Sequence, residues 1–349
     1  MSKDYFHRVA AETKTRVWVN NPSLSDLKNA IDAGAVNGTT NPAYGAKLLQ
    51  TEPDYMVGVI QSVVSDFADD HEAADRIYQI ISARFMQEFL PLYESSGGRA
   101  GFVTMQDDPR NDEAPEPIIE STLRHAKVGA NYMAKIPVIE SGMAAMERLV
   151  ELNIPICATE VFSIAQAVAM CECYAAASAR SGNSPPFFLT HITGIYDEEI
   201  QSQVAAEGID ISKDVLRQAG TIVMRKQYRA IKERGYATTM LGGGARAPYH
   251  FTEWVGGDAH ITINYSTIEE LLALDPPVVN RIQAEDNADV IAELSDKIPD
   301  FRRAYDDDGL APHEFADFKP LLRFRNNFID GCDAVLGEVA KYRRALTSA

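Results

Sequence analysis

Eight short runs of β-branched and aromatic residues recur along this 349-residue chain, each followed by a segment with helical periodicity. They are Thr15–Asn20, Ala35–Thr39, Ala100–Met105, Tyr132–Ile136, Pro155–Thr159, Phe187–His191, Thr238–Gly242 and His260–Asn264. A strand-like run followed by an amphipathic helix is the pattern of a βα unit, in which the helix carries the chain back to start a parallel neighbour. Eight such units predict a single (β/α)8 TIM barrel, although an open doubly wound sheet reads similarly in places. About sixty residues separate the second and third runs, and Tyr44–Tyr93 within them predicts extra helices in that crossover. Beyond the eighth run the pattern is helical at Thr267–Leu274, Asn287–Lys297 and Leu321–Arg344. The expected organisation is a barrel over residues 1–275 and a helical C-terminal extension packed on it over residues 276–349.

With 46% hydrophobic residues the chain has ample material for such a core. Its 33 basic and 50 acidic residues leave a net charge of -17, with no run of lysines or arginines. That charge repels nucleic acid and anionic membrane surfaces, so neither is an expected partner. Residues 1–12 are polar and lack an apolar signal core, and nowhere is there an apolar run of the ~18 residues a membrane helix needs. Four cysteines (Cys157, Cys171, Cys173, Cys332) without a CxxC pair are no disulfide framework and fit a reducing cytoplasm. Cys171 and Cys173 lie in an alanine-rich helical run, where core packing is the expectation. Neither His250, Glu253 and His260 nor Asp306-Asp307-Asp308 has the ligand spacing of a zinc or calcium site, so no metal and no cofactor is expected.

One residue breaks the apolar pattern where a barrel does its chemistry. Lys135 lies within Asn131-Tyr132-Met133-Ala134-Lys135-Ile136-Pro137, a strand-like run. A buried ammonium loses hydration, its pKa falls, and the free amine that results can attack a carbonyl. The structural alternative is a lysine that covers its stem and keeps its head in water. Active groups in a barrel collect at the C-terminal ends of the strands. Asn20, Asn21, Thr39, Thr40, Asn41, Gln106, Lys135, Thr159, Thr190, His191 and Arg246 all fall there. They form a polar ring around one lysine, with hydroxyls and amides suited to hold sugar hydroxyls.

Three ordered motifs make the ring specific. Thr39-Thr40-Asn41-Pro42, Ala134-Lys135-Ile136-Pro137 and Ala158-Thr159-Glu160-Val161-Phe162-Ser163, followed by Gly242-Gly243-Gly244-Ala245-Arg246, resemble the transaldolase family over roughly Thr15 to Thr262. The resemblance implies a class I aldolase mechanism on a (β/α)8 barrel without metal, with Lys135 as the Schiff-base lysine. It implies that Thr159 orients a catalytic water and that Asn41 holds a substrate hydroxyl beside the lysine. It also implies that Arg246 binds a substrate phosphate, while Thr39, Thr190 and Gly244 complete the substrate-binding set.

Departures from that pattern are equally informative. Asn20 stands where the family usually has an aspartate, and an amide cannot act as its base. Gln106 stands where transaldolases carry a glutamate; it resembles the related fructose-6-phosphate aldolases, whose sixth-strand aromatic is Ile192 here. The position of a second phosphate-binding arginine is held by Ile195. Loss of one charge-assisted contact removes roughly 1.5–3 kcal/mol, enough to admit a smaller anion or a neutral polyol. His191 has the right pKa range to serve a different head group, but strand alternation turns it outward if Thr190 faces in. Asp107, Asp108 and Glu160 are the nearby carboxylates that can replace the missing acid, the first two reading more simply as a capped or ion-paired loop.

The expected function is therefore a transaldolase-like aldolase or transaldolase that forms a lysine Schiff base with a ketose or ketose phosphate. It would cleave or transfer a dihydroxyacetone-type unit, in the setting of carbohydrate metabolism and the pentose phosphate pathway. The alternatives are a catalytically altered barrel that only binds sugar or sugar phosphate, and a Schiff-base lyase or aldolase on a non-phosphorylated substrate. The C-terminal helices are expected either to cover the barrel or to build a homodimer interface.

Overall fold

The computed structural model describes residues 4–347. Eight parallel strands close into a barrel in sequence order: β1 (Arg16–Asn20), β2 (Asn37–Thr39), β3 (Val103–Met105), β4 (Tyr132–Pro137), β5 (Ile156–Val161), β6 (Phe187–His191), β7 (Thr239–Gly242) and β8 (Ala259–Ile263). Pairing of β8 with β1 excludes the open sheet. All eight expected runs are strands, with ends displaced by three residues at most.

Helix α1 (Tyr5–Glu12) precedes β1, and α2 (Leu24–Asp32) links it to β2. The crossover to β3 holds three helices, α3 (Tyr44–Thr51), α4 (Pro53–Val63) and the long α5 (Asp70–Ser95). Next come α6 (Pro115–His125), α7 (Glu140–Glu151), α8 (Ile164–Ser181), α9 (Thr193–Glu207), α10 (Lys213–Leu216), α11 (Ala219–Glu233), α12 (Tyr249–Thr252) and α13 (Tyr265–Leu274). The C-terminal extension is α14 (Ala288–Lys297), α15 (Pro299–Tyr305) and α16 (Lys319–Thr347). Helix α1 lies within the polar N-terminal stretch. It forms because Asp4 caps it by accepting from His7 N, and Tyr5, Phe6 and Val9 bury one face.

Alternation decides what faces the barrel interior. Trp18, Phe102, Met133, Cys157, Phe188 and Leu241 form a core of their own. Met133, Cys157 and Phe188 each lie two residues before Lys135, Thr159 and Thr190, so those three polar residues stack on the apolar plug, toward the C-terminal mouth.

Across that mouth runs α16. Its buried residues Leu321, Phe324, Phe328, Gly331 and Val335 recur at spacings of three and four, a single apolar stripe. The stripe lies against α3, α5 and α9. Each large apolar side chain contributes about 1.5–3 kcal/mol on burial, against ~1 kcal/mol or less for a surface ion pair such as Arg343–Asp70. Apolar packing therefore holds the helix in place. No described helix is long and apolar enough to cross a membrane.

Candidate active site

A cavity of about 160 Å3 opens where the strands end, lined by Asn20, Thr39, Asn41, Lys135, Thr190, Gly244 and Arg246. Phe324, Asn327 and Phe328 of α16 close it from above. Its volume suits roughly five waters, or a small polyol fragment.

Lys135 is the fourth residue of a strand whose six residues are all buried, and it is itself only 7% exposed. Burial lowers its pKa from the usual ammonium range; Cys157 and Glu160 nearby pull weakly the other way. The Phe328 ring lies 5.3 Å from Nζ. No carboxylate ion-pairs with this amine among the described residues, so it is desolvated without a fixed counter-ion.

The polar ring is built from short contacts. Asn41 Oδ1 accepts from Asn21 Nδ2 at 2.9 Å and from Ala43 N at 3.0 Å, which leaves the Asn41 amide N–H groups for a ligand. Asn20 Oδ1 accepts from Thr39 Oγ1 and its Nδ2 donates to Asn264 Oδ1, both at 3.0 Å. The Thr39 and Thr262 hydroxyls meet at 2.7 Å. An amide thus satisfies a donor on one side and an acceptor on the other, which a carboxylate at this position cannot do without Asn264 turning over. Thr190 Oγ1 contacts Cys157 Sγ at 3.2 Å, and burial pushes that thiol's pKa up.

Gln106, one residue past the end of β3, lines the cleft between α5, the loop after β3 and α16, and Thr159 pairs with Pro137 at the end of β4; both are almost wholly enclosed. Gln106 Nε2 donates to Glu160 Oε1 at 2.7 Å. Gln106 Oε1 and Thr159 Oγ1 are buried with no hydrogen-bond partner among the described residues.

Arg246 reaches the cavity, yet its guanidinium is engaged by Glu198 of α9, with Nε donating to Oε1 at 2.7 Å. Ile195, at the expected second arginine position, is completely buried. Gly244 adopts φ +65, which re-aims the chain after β7, and the N-terminus of α9 packs directly on it. A Cβ on Gly194 would lie 1.9 Å from the Gly244 carbonyl oxygen. Gly194→Ala is therefore expected to push this loop outward and cost about 1–3 kcal/mol, with a raised KM. An unchanged melting curve would show that the loop yields freely.

His191 requires correction. It is fully buried and points away from the cavity into the helix layer, with ring centroids 6.3 Å from Tyr196 and 6.4 Å from Trp254. Burial drops its pKa to about 3, and it is not among the residues that line the cavity. Alternation along β6 turns Thr190 in and His191 out. Asp108 caps and ion-pairs Arg110 at 2.8 Å, and Asp107 accepts from Asn111, so both belong to a structured loop off the cavity wall.

The contribution of α16 had no motif to announce it. The signal available was the stripe that sets Phe324 and Phe328 one turn apart beside Asn327. A larger cleft of about 650 Å3 lies between α5, the loop after β3 and α16. Asp75, Asp107 and His125 bring ligand atoms within 4.8 Å of one another there, but Asp75 is already held by Arg124 and His125. Lys135 is absent from its wall and lines the smaller cavity instead.

The family model described as transaldolase/fructose-6-phosphate aldolase matches residues 17–312. A transaldolase of Thiobacillus denitrificans is 26% identical over 335 residues, covering 86% of this chain and 87% of the relative. A transaldolase of Saccharopolyspora erythraea is 24% identical over 320 residues, covering 84% and 82%. Transaldolase 1 of Streptomyces avermitilis is 26% identical over 267 residues, covering 70% and 67%. A closed barrel with a buried lysine on its fourth strand, matched by this model over most of its length, belongs to the transaldolase/fructose-6-phosphate aldolase family.

Proposed function

We propose that the protein is a Schiff-base aldolase or transaldolase acting on a small ketose, with Lys135 as nucleophile. The observation that carries this is an ammonium-forming group on a fully buried strand, desolvated and without an ion-pair partner, inside a cavity of hydroxyls and amides. A packing role gives no reason to keep a charge there, because an aliphatic residue would fill the position at lower cost. The free amine adds to the ketose carbonyl, forming a carbon–nitrogen bond as the carbonyl oxygen takes a proton. Loss of water gives an iminium that accepts the electron pair of the adjacent carbon–carbon bond as the hydroxyl of the departing carbon gives its proton to water and that carbon leaves as an aldehyde. Asn41, its oxygen already occupied, offers N–H groups to a hydroxyl of the bound unit. The retained enamine passes to an aldehyde acceptor or is protonated.

The head group has a second reading. Glu198 holds Arg246, Glu199 pairs with Arg323 at 3.1 Å, and Ile195 supplies no charge. Opening the exposed Arg246–Glu198 pair costs only ~1 kcal/mol or less. Glu198 nonetheless offsets the charge of Arg246, and no second arginine stands at position 195, which favours a substrate whose far end is uncharged. Incubation with dihydroxyacetone, fructose or fructose 6-phosphate, borohydride reduction and mass spectrometry test both points. A stable adduct on Lys135 is expected, at least as efficiently with fructose as with its phosphate. The absence of any adduct on folded protein would overturn the enzyme reading.

A further inference from the structure

Strand β5 contains one residue more than its neighbour accounts for. Ala158 pairs with Leu189, but the next partner of β6, His191, meets Val161. The extra residue falls at Thr159-Glu160, and Glu160 takes φ +64, a left-handed conformation that a residue with a side chain rarely adopts. Unbulged, Glu160 would follow the inward Thr159 by pointing outward to the helices. The bulge turns its carboxylate across the end of β4 instead, where Oε1 accepts from Gln106 Nε2. Only 1% of Glu160 is exposed.

Surrounding residues fix this arrangement. Gln166, fully buried at the start of α8, donates to the Glu160 and Val138 carbonyls at 3.1 and 3.0 Å and accepts from Phe162 N at 2.9 Å. One side chain therefore clamps both sides of the bulge and ties it to the end of β4. A strained backbone held by its surroundings at the edge of a reactive lysine is where function, rather than packing, explains the strain. Position 106, just past the end of β3, offers an amide; the carboxylate hydrogen-bonded to it comes from β5.

We propose that Glu160 is the proton-carrying partner of Lys135, delivered by the β5 bulge to the site where β3 presents only Gln106. The proposal rests on the Schiff-base reading. In its acid form Glu160 gives a proton, by way of water between Thr159 Oγ1 and Gln106 Oε1, to the carbinolamine hydroxyl. The carbon–oxygen bond breaks, water leaves, and the nitrogen lone pair closes the iminium while Glu160 is left as carboxylate. Hydrolysis returns the proton by the reverse path. Burial is the largest influence on Glu160 and favours its acid form; the Gln106 contact, Lys135 of β4 and Arg325 of α16 favour the anion. Asp112 also faces this pocket and is itself driven toward its acid form, chiefly by burial and then by Glu160 and Asp107.

Glu160→Gln keeps the shape and the contact to Gln106 while removing the proton. It is expected to lower turnover by ~10²-fold or more and to abolish the limb on which the wild-type rate falls with rising pH. Borohydride trapping at Lys135 after long incubation should persist. Glu160→Gly, suited to φ +64, should melt no lower than wild type and lose the same pH limb. The double variant Gln106→Glu, Glu160→Gln should recover at least tenfold of the lost rate and the limb. Turnover and pH profile within twofold of wild type in Glu160→Gln would overturn the proposal. Failure to trap the wild type itself would instead overturn the Schiff-base reading.

Discussion

Lys135→Met is expected to abolish ketose trapping, to lower turnover by at least about 10³-fold, and to make the fold more stable. The first two effects follow from removing the amine. The third follows from its surroundings, since all six residues of β4 are buried and no counter-ion meets Nζ among the described residues. Methionine has nearly the length of lysine, fills the same space and carries no charge to desolvate. A gain of about 1–2 kcal/mol at neutral pH is the magnitude expected for relieving such a site. Because the lysine's pKa is lowered on folding, the unfolded chain binds the proton more readily. Below the folded pKa the wild type therefore bears the full cost of a buried ammonium, and that cost is shed as pH rises toward 10.5. Thermal melts across pH should show the methionine variant furthest ahead at low and neutral pH, converging with wild type in alkali. A variant less stable at every pH would mean that the ammonium is well paired in solution.

Phe328→Ala is expected to cost about 3 kcal/mol of stability and to move the apparent pKa of imine formation upward. The ring is 2% exposed, packs on Phe324 with centroids 4.3 Å apart, and lies 5.3 Å from Lys135 Nζ. Two effects oppose each other at the lysine. The ring face attracts an ammonium, worth about 0.5–1 kcal/mol at this distance, and its loss would lower the pKa. The ring also excludes water, and rehydrating a buried ammonium is worth several kcal/mol, so hydration wins. Trapping rates at neutral pH should fall about tenfold and recover in alkali. A downward shift would show that the ring acts mainly as a cation partner.

Much of this was legible from the residues in order. The eight strands announced themselves because barrel strands are buried on both faces and read as apolar runs, and Lys135 stood out by interrupting one. The polar ring followed from placing strand ends together. His191 read two ways in the sequence because the period-two rule and the strand end compete within one residue of Thr190, and in the structure it does not line the cavity. The bulge was not legible: Ala158-Thr159-Glu160-Val161 contains no glycine or proline to mark it, and its register depends on Gln166 and on β6. Nor did any local pattern connect Phe324 and Phe328 to β4, since long-range packing of an amphipathic stripe specifies a face but not what it covers.

Because α16 follows the barrel in the chain, β4 leaves the ribosome well before the helix that seals it. Until α16 docks, water reaches Lys135 and keeps it protonated, and a protonated amine does not condense with sugars. On the Schiff-base reading, the docking of α16 rather than the folding of β4 is therefore the step that makes Lys135 reactive toward sugars.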